Sequence, residues 1–241
     1  MISRPFGLLC AAFLLAACEV VPVDGPTSSA PDPAGGEQTV KPSPATLQAA
    51  RSFLRVVQTV EPVAERECRA RTSRTNCNFN IVVDDRPGQP ANAFQTVDRN
   101  GRPVIVFTLG LIAEARNEHE LAFVMGHEAA HHIAGHLARQ QQNAIAGAAL
   151  ATASAVLVGA DKATIQRAQQ YGARVGARSY SKEFELEADA LGTIISAKAN
   201  YNPLVGARFF TRIPDPGDKF LGTHPPNAER IETVRRTVAG L

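Results

Sequence analysis

The sequence predicts a single α+β domain that is mainly helical and carries a small β-sheet with a hairpin. Apolar residues recur with a helical period over 46–71 and again from Gly110 to the carboxyl end, whereas short strand-like segments occupy the stretch between them. A chain of 241 residues, 44% of them hydrophobic, is long enough for one globular domain with short appendages. Four cysteines are too few for disulfides to replace a hydrophobic core.

The first element of this domain is a helix over 46–71, with an interruption at Pro62. A short strand follows at 79–83, and strands at 93–97 and 103–108 form a hairpin. Asn100-Gly101 supplies the positive φ angles of its turn.

The uncharged segment 144–160 is rich in alanine and glycine. It is short and weak as a membrane span, because small side chains gain little from hydrocarbon. We therefore expect a buried or lid-forming helix beside the active site.

The amino end resembles a bacterial lipoprotein signal. The apolar run within 1–17 is too short to span a bilayer. It ends in Leu15-Ala-Ala-Cys18, as the bacterial lipobox does, so Cys18 is the predicted lipidation site. An ordinary signal peptide with a coincidental cysteine is the alternative. Glu19, where an aspartate would signal inner-membrane retention, favours the outer membrane, with the protein facing the periplasm.

These features divide the chain into a signal peptide at 1–17, a lipidated and disordered Pro/Gly-rich tether at 18–45, and a folded domain at 46–241. Cys68 and Cys77 are then the thiols left in the mature protein. In an oxidising compartment we expect them to form a disulfide, with two free buried thiols as the alternative.

The charge balance argues against a nucleic-acid partner. Lysine and arginine number 25, against 23 aspartate and glutamate, so the chain lacks the broad positive field that attracts DNA or RNA. We expect a membrane contact through the amino-terminal lipid.

The densest group of chemically active residues is the pattern H-E-x-x-H formed by His127, Glu128 and His131. Four residues turn a helix by about 400°, so the two histidines share a face and converge on one metal ion. Glu128 lies about 100° round from His127, where a general base acting on a metal-bound water must be. On an uninterrupted helix His132 and His136 point away from that face, so we expect neither to be a ligand and both to be surface histidines or histidines in the layer behind the ligands.

A catalytic zinc takes three protein ligands, so one more side chain is required. The candidates lie in the acidic run 181–189. On a helix Glu185 and Asp189 share a side with small residues, which lets that side approach another helix closely. We therefore predict Glu185 as the third ligand and Asp189 as the acceptor for the outer nitrogen of a ligand histidine. Glu183 with Glu187 is a rival pair, and a solvated acidic face is the simplest alternative.

Taken together, these segments resemble the HtpX-like and type I CAAX prenyl protease-like zinc metallopeptidases. The resemblance covers about 47–234 and rests on three motifs in the family's order: Glu120-Leu-Ala with His127-Glu128-x-x-His131, Ser181-x-x-x-Glu185-x-Glu187-Ala188-Asp189-x-x-Gly192, and Thr223-His224-Pro225-Pro226-x-x-x-Arg230-Ile231. Three ordered motifs are far more specific than H-E-x-x-H alone.

The resemblance implies a gluzincin-type fold and site, with one zinc ion per chain held by His127, His131 and Glu185 and with Glu128 as base. His224 matches the histidine of the family's His-Pro motif, which implies a catalytic position near the metal, and in some periplasmic members this histidine closes the site. A tethered domain without multiple transmembrane helices looks most like the LoiP-type periplasmic lipoprotein peptidases.

We therefore expect a zinc-dependent endopeptidase that hydrolyses unfolded or misassembled cell-envelope proteins as part of protein quality control. The alternative is a zinc-containing periplasmic chaperone or assembly factor with little proteolytic turnover. A purely structural zinc is disfavoured, because such sites usually contain cysteine and none lies near these ligands.

Overall fold

The computed structural model describes residues 41–179, 181–215, 217 and 224–241. The predicted signal peptide, Cys18 and almost all of the predicted tether lie outside the described residues. The helices are α1 (Pro44–Arg71), α2 (Leu109–Glu114), α3 (Glu118–Ile133), α4 (His136–Leu157), α5 (Lys162–Arg178), α6 (Ser181–Lys198), α7 (Pro203–Gly206) and α8 (Asn227–Ala239), with a 3-10 helix at Ala207–Thr211. The strands are β1 (Asn80–Asp84), β2 (Ala93–Val97) and β3 (Pro103–Thr108). The mainly helical α+β prediction is confirmed.

Helix α3 is the centre of the domain. It begins at the cap residue Asn117, whose side chain accepts a hydrogen bond from the backbone nitrogen of Glu120. Most of its residues are buried, because α1, α6 and α7 pack against it. The main apolar core lies between α1, α3 and the inner side of the sheet. A helix enclosed on several sides holds its side chains in fixed positions, which suits residues that must converge on one point.

The sheet has the strand order β1-β3-β2, with β3 parallel to β1 and antiparallel to β2. The hairpin strands have the predicted bounds, but the turn prediction was wrong at one residue. Of the two predicted turn residues, Gly101 has a positive φ, of 75°, and Asn100 does not. The Asp98 carboxylate accepts hydrogen bonds from the backbone nitrogens of Asn100 and Arg102. This supports a longer loop than the two-residue turn, so Asn100 does not need the left-handed conformation.

Helix α1 continues through Pro62, which the sequence predicted to interrupt it, and it begins at Pro44, inside the predicted tether. A proline inside a helix costs about 3 kcal/mol. Val56, Val60 and Val63 are buried on both sides of it, and each fully buried apolar side chain contributes about 1.5–3 kcal/mol. The apolar contacts therefore outweigh the lost hydrogen bond.

A disulfide joins Cys68, in the last turn of α1, to Cys77, which precedes β1. Their Cα atoms are 5.7 Å apart, and both residues are buried in the main core. The bridge therefore fixes the end of α1 to the start of the sheet.

Segment 144–160 was predicted to form a buried or lid-forming helix, and the prediction that it is buried was wrong. This segment forms the second half of α4 and the turn after it, and α4 packs along α5 as an exposed helical hairpin. Ala155 is its only buried residue among those that the structure describes. Across residues 41–179, 181–215, 217 and 224–241, no helix is both long enough and apolar enough to cross a bilayer.

Candidate metal centre

Two helices bring three potential metal ligands together. Helix α3 presents His127 and His131, and α6 presents Glu185. The Nε2 atoms of the two histidines are 3.0 Å apart. The Glu185 carboxylate oxygens lie 3.6 Å from Nε2 of His127 and 3.3 Å from Nε2 of His131. One ligand atom from each residue lies within 4.8 Å of the other two, which is compact enough for a single ion.

These ligands meet because α3 and α6 approach at two glycines. A Cβ atom added to Gly126 would lie 2.8 Å from the carbonyl oxygen of Gly192, and one added to Gly192 would lie 2.7 Å from the backbone nitrogen of His127. Real Cβ contacts are essentially never this short, so the two backbones touch directly. Glycine at both positions therefore permits the helix separation that carries Glu185 to the histidines.

Behind His127 lies a buried carboxylate. Nδ1 of His127 is 2.9 Å from Oδ1 of Asp189, which leaves Nε2 directed to the ligand cluster. Burial disfavours a positive charge on this imidazole, but hydrogen bonds with Asp189 and Glu185 outweigh it and raise the pKa of His127 to about 10. The site therefore attracts a positive charge, and a bound cation would replace the proton.

Arg230, on α8, neutralises part of this negative charge. Its guanidinium donates to both oxygens of Asp189 at 2.7 Å, and its Nη2 atom lies 3.4 Å from Oε2 of Glu185. Although burial favours the neutral acid, the hydrogen bonds from Arg230 and His127 lower the pKa of Asp189. Arg230 belongs to the third sequence motif, but the sequence analysis assigned it no role. Its position in that motif was the one sign in the sequence of its contact with the site.

The predicted direction of His136, away from the ligand face, was wrong, because the prediction assumed one uninterrupted helix. Gly135 has a φ of 68°, in the left-handed region, and separates α3 from α4. The break brings Nδ1 of His136 to 2.8 Å from Nδ1 of His131. His136 is thus buried directly behind a potential ligand, although it is not one of the three converging residues.

The contacts of His136 indicate its proton position. Its Nε2 atom lies 3.2 Å from a Glu187 oxygen, which also accepts a hydrogen bond from Arg139. Burial lowers the pKa of His136 to about 4, so it is neutral at neutral pH. A neutral ring that donates from Nε2 accepts at Nδ1 from His131, which leaves Nε2 of His131 free for a metal.

Three other residues considered in the sequence analysis lie outside the ligand cluster. Glu187, of the rival pair, lies against His136 and Arg139, and Glu183 is exposed, so neither belongs to the ligand cluster. Nε2 of His132 lies 2.8 Å from the carbonyl oxygen of Asn76, away from the ligands.

His224 follows the undescribed segment 218–223 and lies against a potential ligand. Its Nδ1 atom is 3.0 Å from Oε2 of Glu185, while about half of its side chain is exposed. Burial disfavours the Glu185 carboxylate, but hydrogen bonds from His127, His131 and His224 hold its pKa well below the usual range. Glu185 is therefore ionised, as a metal ligand must be.

The ligand cluster forms one wall of an open cleft of about 600 Å³. Glu128 and His224 also line it. The lining also includes β2, through Ala93–Gln95, and a set of apolar side chains: Leu111, Phe123, Phe209, Phe210, Ile213 and Pro214. The cleft therefore joins an edge strand, an apolar surface and a carboxylate next to the potential ligands.

The donor set fits a divalent cation. Glu128, Glu185 and Asp189 contribute three negative charges and Arg230 one positive charge, which leaves two negative charges for the ion to balance. Two ligand atoms on a tetrahedral ion with bonds of 2.0–2.1 Å are about 3.3 Å apart. The observed separations of 3.0, 3.6 and 3.3 Å bracket that value.

Comparison with known proteins identifies the family of this chain. The sequence profile of peptidase family M48 matches residues 50–238. A putative beta-barrel assembly-enhancing protease of Vibrio cholerae is 34% identical over 139 residues, which are 52% of this chain and 29% of that protein. The human mitochondrial metalloendopeptidase OMA1 is 28% identical over 179 residues, 67% of this chain and 32% of that protein. The Arabidopsis thaliana mitochondrial metalloendopeptidase OMA1 is 29% identical over 135 residues, 54% and 27% of the two chains.

Each aligned stretch spans about a third of the relative's length or less. The family profile, in contrast, covers most of this chain and includes the residues that converge at the cleft. The chain therefore belongs to peptidase family M48.

Proposed function

We propose that this protein is a zinc-dependent endopeptidase that cleaves unfolded or misassembled cell-envelope proteins, with Glu128 as general base. One observation carries the proposal. His127, His131 and Glu185 converge next to Glu128 on the wall of an open cleft, so a metal ion, a base and a polypeptide could meet at one point.

Zinc is the metal that best suits this donor set. Two imidazole nitrogens and one carboxylate oxygen at tetrahedral spacing are the ligands of many catalytic zinc sites, which keep a fourth position open. Magnesium and calcium prefer oxygen donors in larger numbers.

Bound zinc would polarise the scissile carbonyl and lower the pKa of a water molecule in the cleft. Glu128 accepts a proton from the attacking water and returns it to the leaving amine. Asp189 and His136 hold the outer nitrogens of the ligand imidazoles, so both rings keep their orientation throughout the reaction. Arg230 keeps Asp189 ionised.

The shape of the cleft supports an extended substrate. One side of β2 pairs with β3, and Ala93–Gln95 lies along the cleft, so a polypeptide can add to its other side by main-chain hydrogen bonds. The aromatic and aliphatic lining favours apolar side chains. Folded proteins bury their apolar side chains and pair their main-chain hydrogen-bonding groups internally, whereas unfolded segments expose both.

The envelope location rests on two supports. A disulfide within the core suits an oxidising compartment such as the periplasm, and one relative is named as a putative beta-barrel assembly-enhancing protease. We place the protein at the outer membrane, attached by a lipid on Cys18 and facing the periplasm, as in the LoiP-type branch of HtpX-like peptidases. Cys18→Ser should release it from the membrane fraction, and unchanged attachment would contradict lipidation.

The deciding experiment incubates the zinc-loaded protein with an unfolded protein and follows fragments over time. Glu128→Gln should reduce cleavage by roughly a hundredfold or more, because it removes the base, while zinc binding is retained. Chelator should have the same effect on cleavage. Glu183→Gln is the matched control, since Glu183 is exposed and outside the cleft. Identical fragments from all of these samples would exclude hydrolysis by this site.

The second candidate is a chaperone or assembly factor with little turnover. The contact between His224 and Glu185 favours it, because a histidine held at a ligand can block the open position. Complementation with Glu128→Gln separates the two functions. If this variant performs the cellular task fully, the chaperone function is supported and hydrolysis is not the protein's role.

A further inference from the structure

The end of the α4–α5 hairpin exposes a cluster of large apolar side chains. Val156, Leu157 and Val158, which we call the hairpin tip, are 56%, 86% and 82% exposed. Leu150, two turns earlier on α4, is 72% exposed. Water-exposed surface of this kind is unfavourable unless another phase or molecule covers it.

The hairpin is built as a stiff arm that carries the tip away from the cleft. Gly147 on α4 packs directly against Gly172 and Gly176 on α5, where any added Cβ atom would overlap backbone atoms. His136 begins α4 behind the metal ligands. Because α4 has 22 residues, the tip lies about 30 Å from them.

The charges on the hairpin are almost all positive. Helix α5 carries Lys162, Arg167, Arg174 and Arg178, and none of these makes an ion pair within the described part of the chain. The single acidic residue of the hairpin is Asp161, whose carboxylate caps α5 by accepting hydrogen bonds from Thr164. The apolar hairpin tip and the basic residues of α5, which we call the basic stem, together suit a surface in which hydrocarbon lies beneath anionic groups.

We propose that the hairpin tip inserts shallowly into the surface of a bilayer that contains anionic phospholipids. Amphipathic elements at a membrane surface bury their apolar side chains about 5–10 Å into the boundary between headgroups and acyl chains. The hairpin tip falls within that depth, and at 1.5 Å per residue Leu150, about 10 Å from Leu157, lies at its outer limit. Arg167 is about 7 Å along α5 from its first residue, so its long side chain can extend to the headgroups. Exposed Tyr171, about one turn further, takes the interfacial position typical of tyrosine.

Other occupants fit these features less well. A second copy of the chain would place two positively charged stems side by side, which is repulsive. An unfolded polypeptide binds along an edge strand or in a groove, whereas the tip is the convex end of a helical pair. The inference does not depend on the identity of the peptidase substrate.

The test reports on the tip itself. In the full chain, Cys10→Ser and Cys18→Ser remove the other unpaired thiols, and Leu157→Cys carries an environment-sensitive fluorophore. The probes are vesicles of phosphatidylglycerol with phosphatidylcholine, vesicles of phosphatidylcholine alone, and the same vesicles with nitroxide-labelled lipids. Leu54→Cys, on α1 and 57% exposed, is the matched control position.

With anionic vesicles we expect a blue shift and nitroxide quenching at position 157 and neither at position 54. Leu150→Cys, labelled in the same way, should show weaker quenching, and it provides a second reading if the first variant does not fold. Lys162→Gln and Arg167→Gln should each raise the vesicle concentration for half-maximal shift about fivefold, since a basic residue near an anionic surface contributes ~1 kcal/mol.

Three results would overturn the proposal. Equal quenching at positions 54 and 157 would show attachment through another part of the chain. A blue shift that grows with protein concentration without vesicles would identify a second copy as the occupant. A shift produced by an unfolded protein but by neither type of vesicle would identify a polypeptide-binding surface.

Discussion

Replacing Gly192 with alanine would disturb the helix approach on which the metal geometry depends. The added Cβ atom would lie 2.7 Å from the backbone nitrogen of His127, and ordinary contacts begin at 3.4 Å. To relieve this contact, α3 and α6 must separate by about 0.7 Å, the difference between these distances. Metal–ligand distances tolerate changes of only about 0.2 Å. Glu185 would then reach the ion only at the expense of strain.

Overpacking of this kind costs about 1–3 kcal/mol. Since each 1.4 kcal/mol is a factor of ten, we expect Gly192→Ala to weaken zinc binding by about 5- to 150-fold. Competition with a chromophoric chelator measures this affinity, and circular dichroism shows whether the variant is folded.

Gly240→Ala is the control for this substitution. The nearest atom to a Cβ at Gly240 is 3.6 Å away, so alanine fits there without displacement. If folded Gly192→Ala binds zinc within twofold of both the control and the unsubstituted protein, the proposed link between helix approach and ligand geometry is wrong.

Three further predictions concern the surroundings of the site. Arg230→Met leaves the Asp189 carboxylate buried without its cation, so the free energy of unfolding in urea should fall by about 3–5 kcal/mol. Replacing Cys68 and Cys77 by alanine opens a loop of about ten residues and should lower it by about 2.7 kcal/mol relative to the oxidised protein. His136→Phe removes the acceptor behind a ligand imidazole, so chelator competition should show zinc affinity reduced about 10- to 100-fold.

Each of these changes has a matched comparison. Arg235→Met removes an exposed guanidinium whose ion pair is 3.7 Å long, and it should change stability by less than about 1 kcal/mol. If Arg230→Met lowered stability no more than Arg235→Met does, the buried ion pair between Arg230 and Asp189 would not be a source of stability. His132→Phe should leave zinc affinity unchanged, and a loss like that of His136→Phe would contradict the specific role of His136. Reductant should bring the unsubstituted protein to the stability of the double alanine variant.

The sequence predicted the parts of the molecule that depend on local spacing. H-E-x-x-H places His127 and His131 on one helical face, and the small residues near Glu185 on α6 correctly indicated the side that approaches another helix. The hairpin strands also follow from two short strand-like segments joined by a turn sequence, 98–101.

What the sequence could not supply depends on tertiary contacts and on single backbone angles. One left-handed residue, Gly135, reverses the predicted direction of His136, and helical periodicity contains no sign of it. Pro62 stays helical because of core contacts made by residues far away in sequence. Segment 144–160 has the composition of an interior helix, but only its packing shows that it is exposed.

The enclosure of α3 has a consequence for where cleavage preference could be altered. A helix packed by neighbours along most of its surface leaves little room for new side chains near the Glu128 carboxylate. We therefore expect cleavage preference to depend on the rim of the cleft, on β2 and on the apolar segment 209–214. Exchanging these two segments between relatives should change which peptide bonds are cleaved, while metal binding and the hydrolytic reaction stay the same.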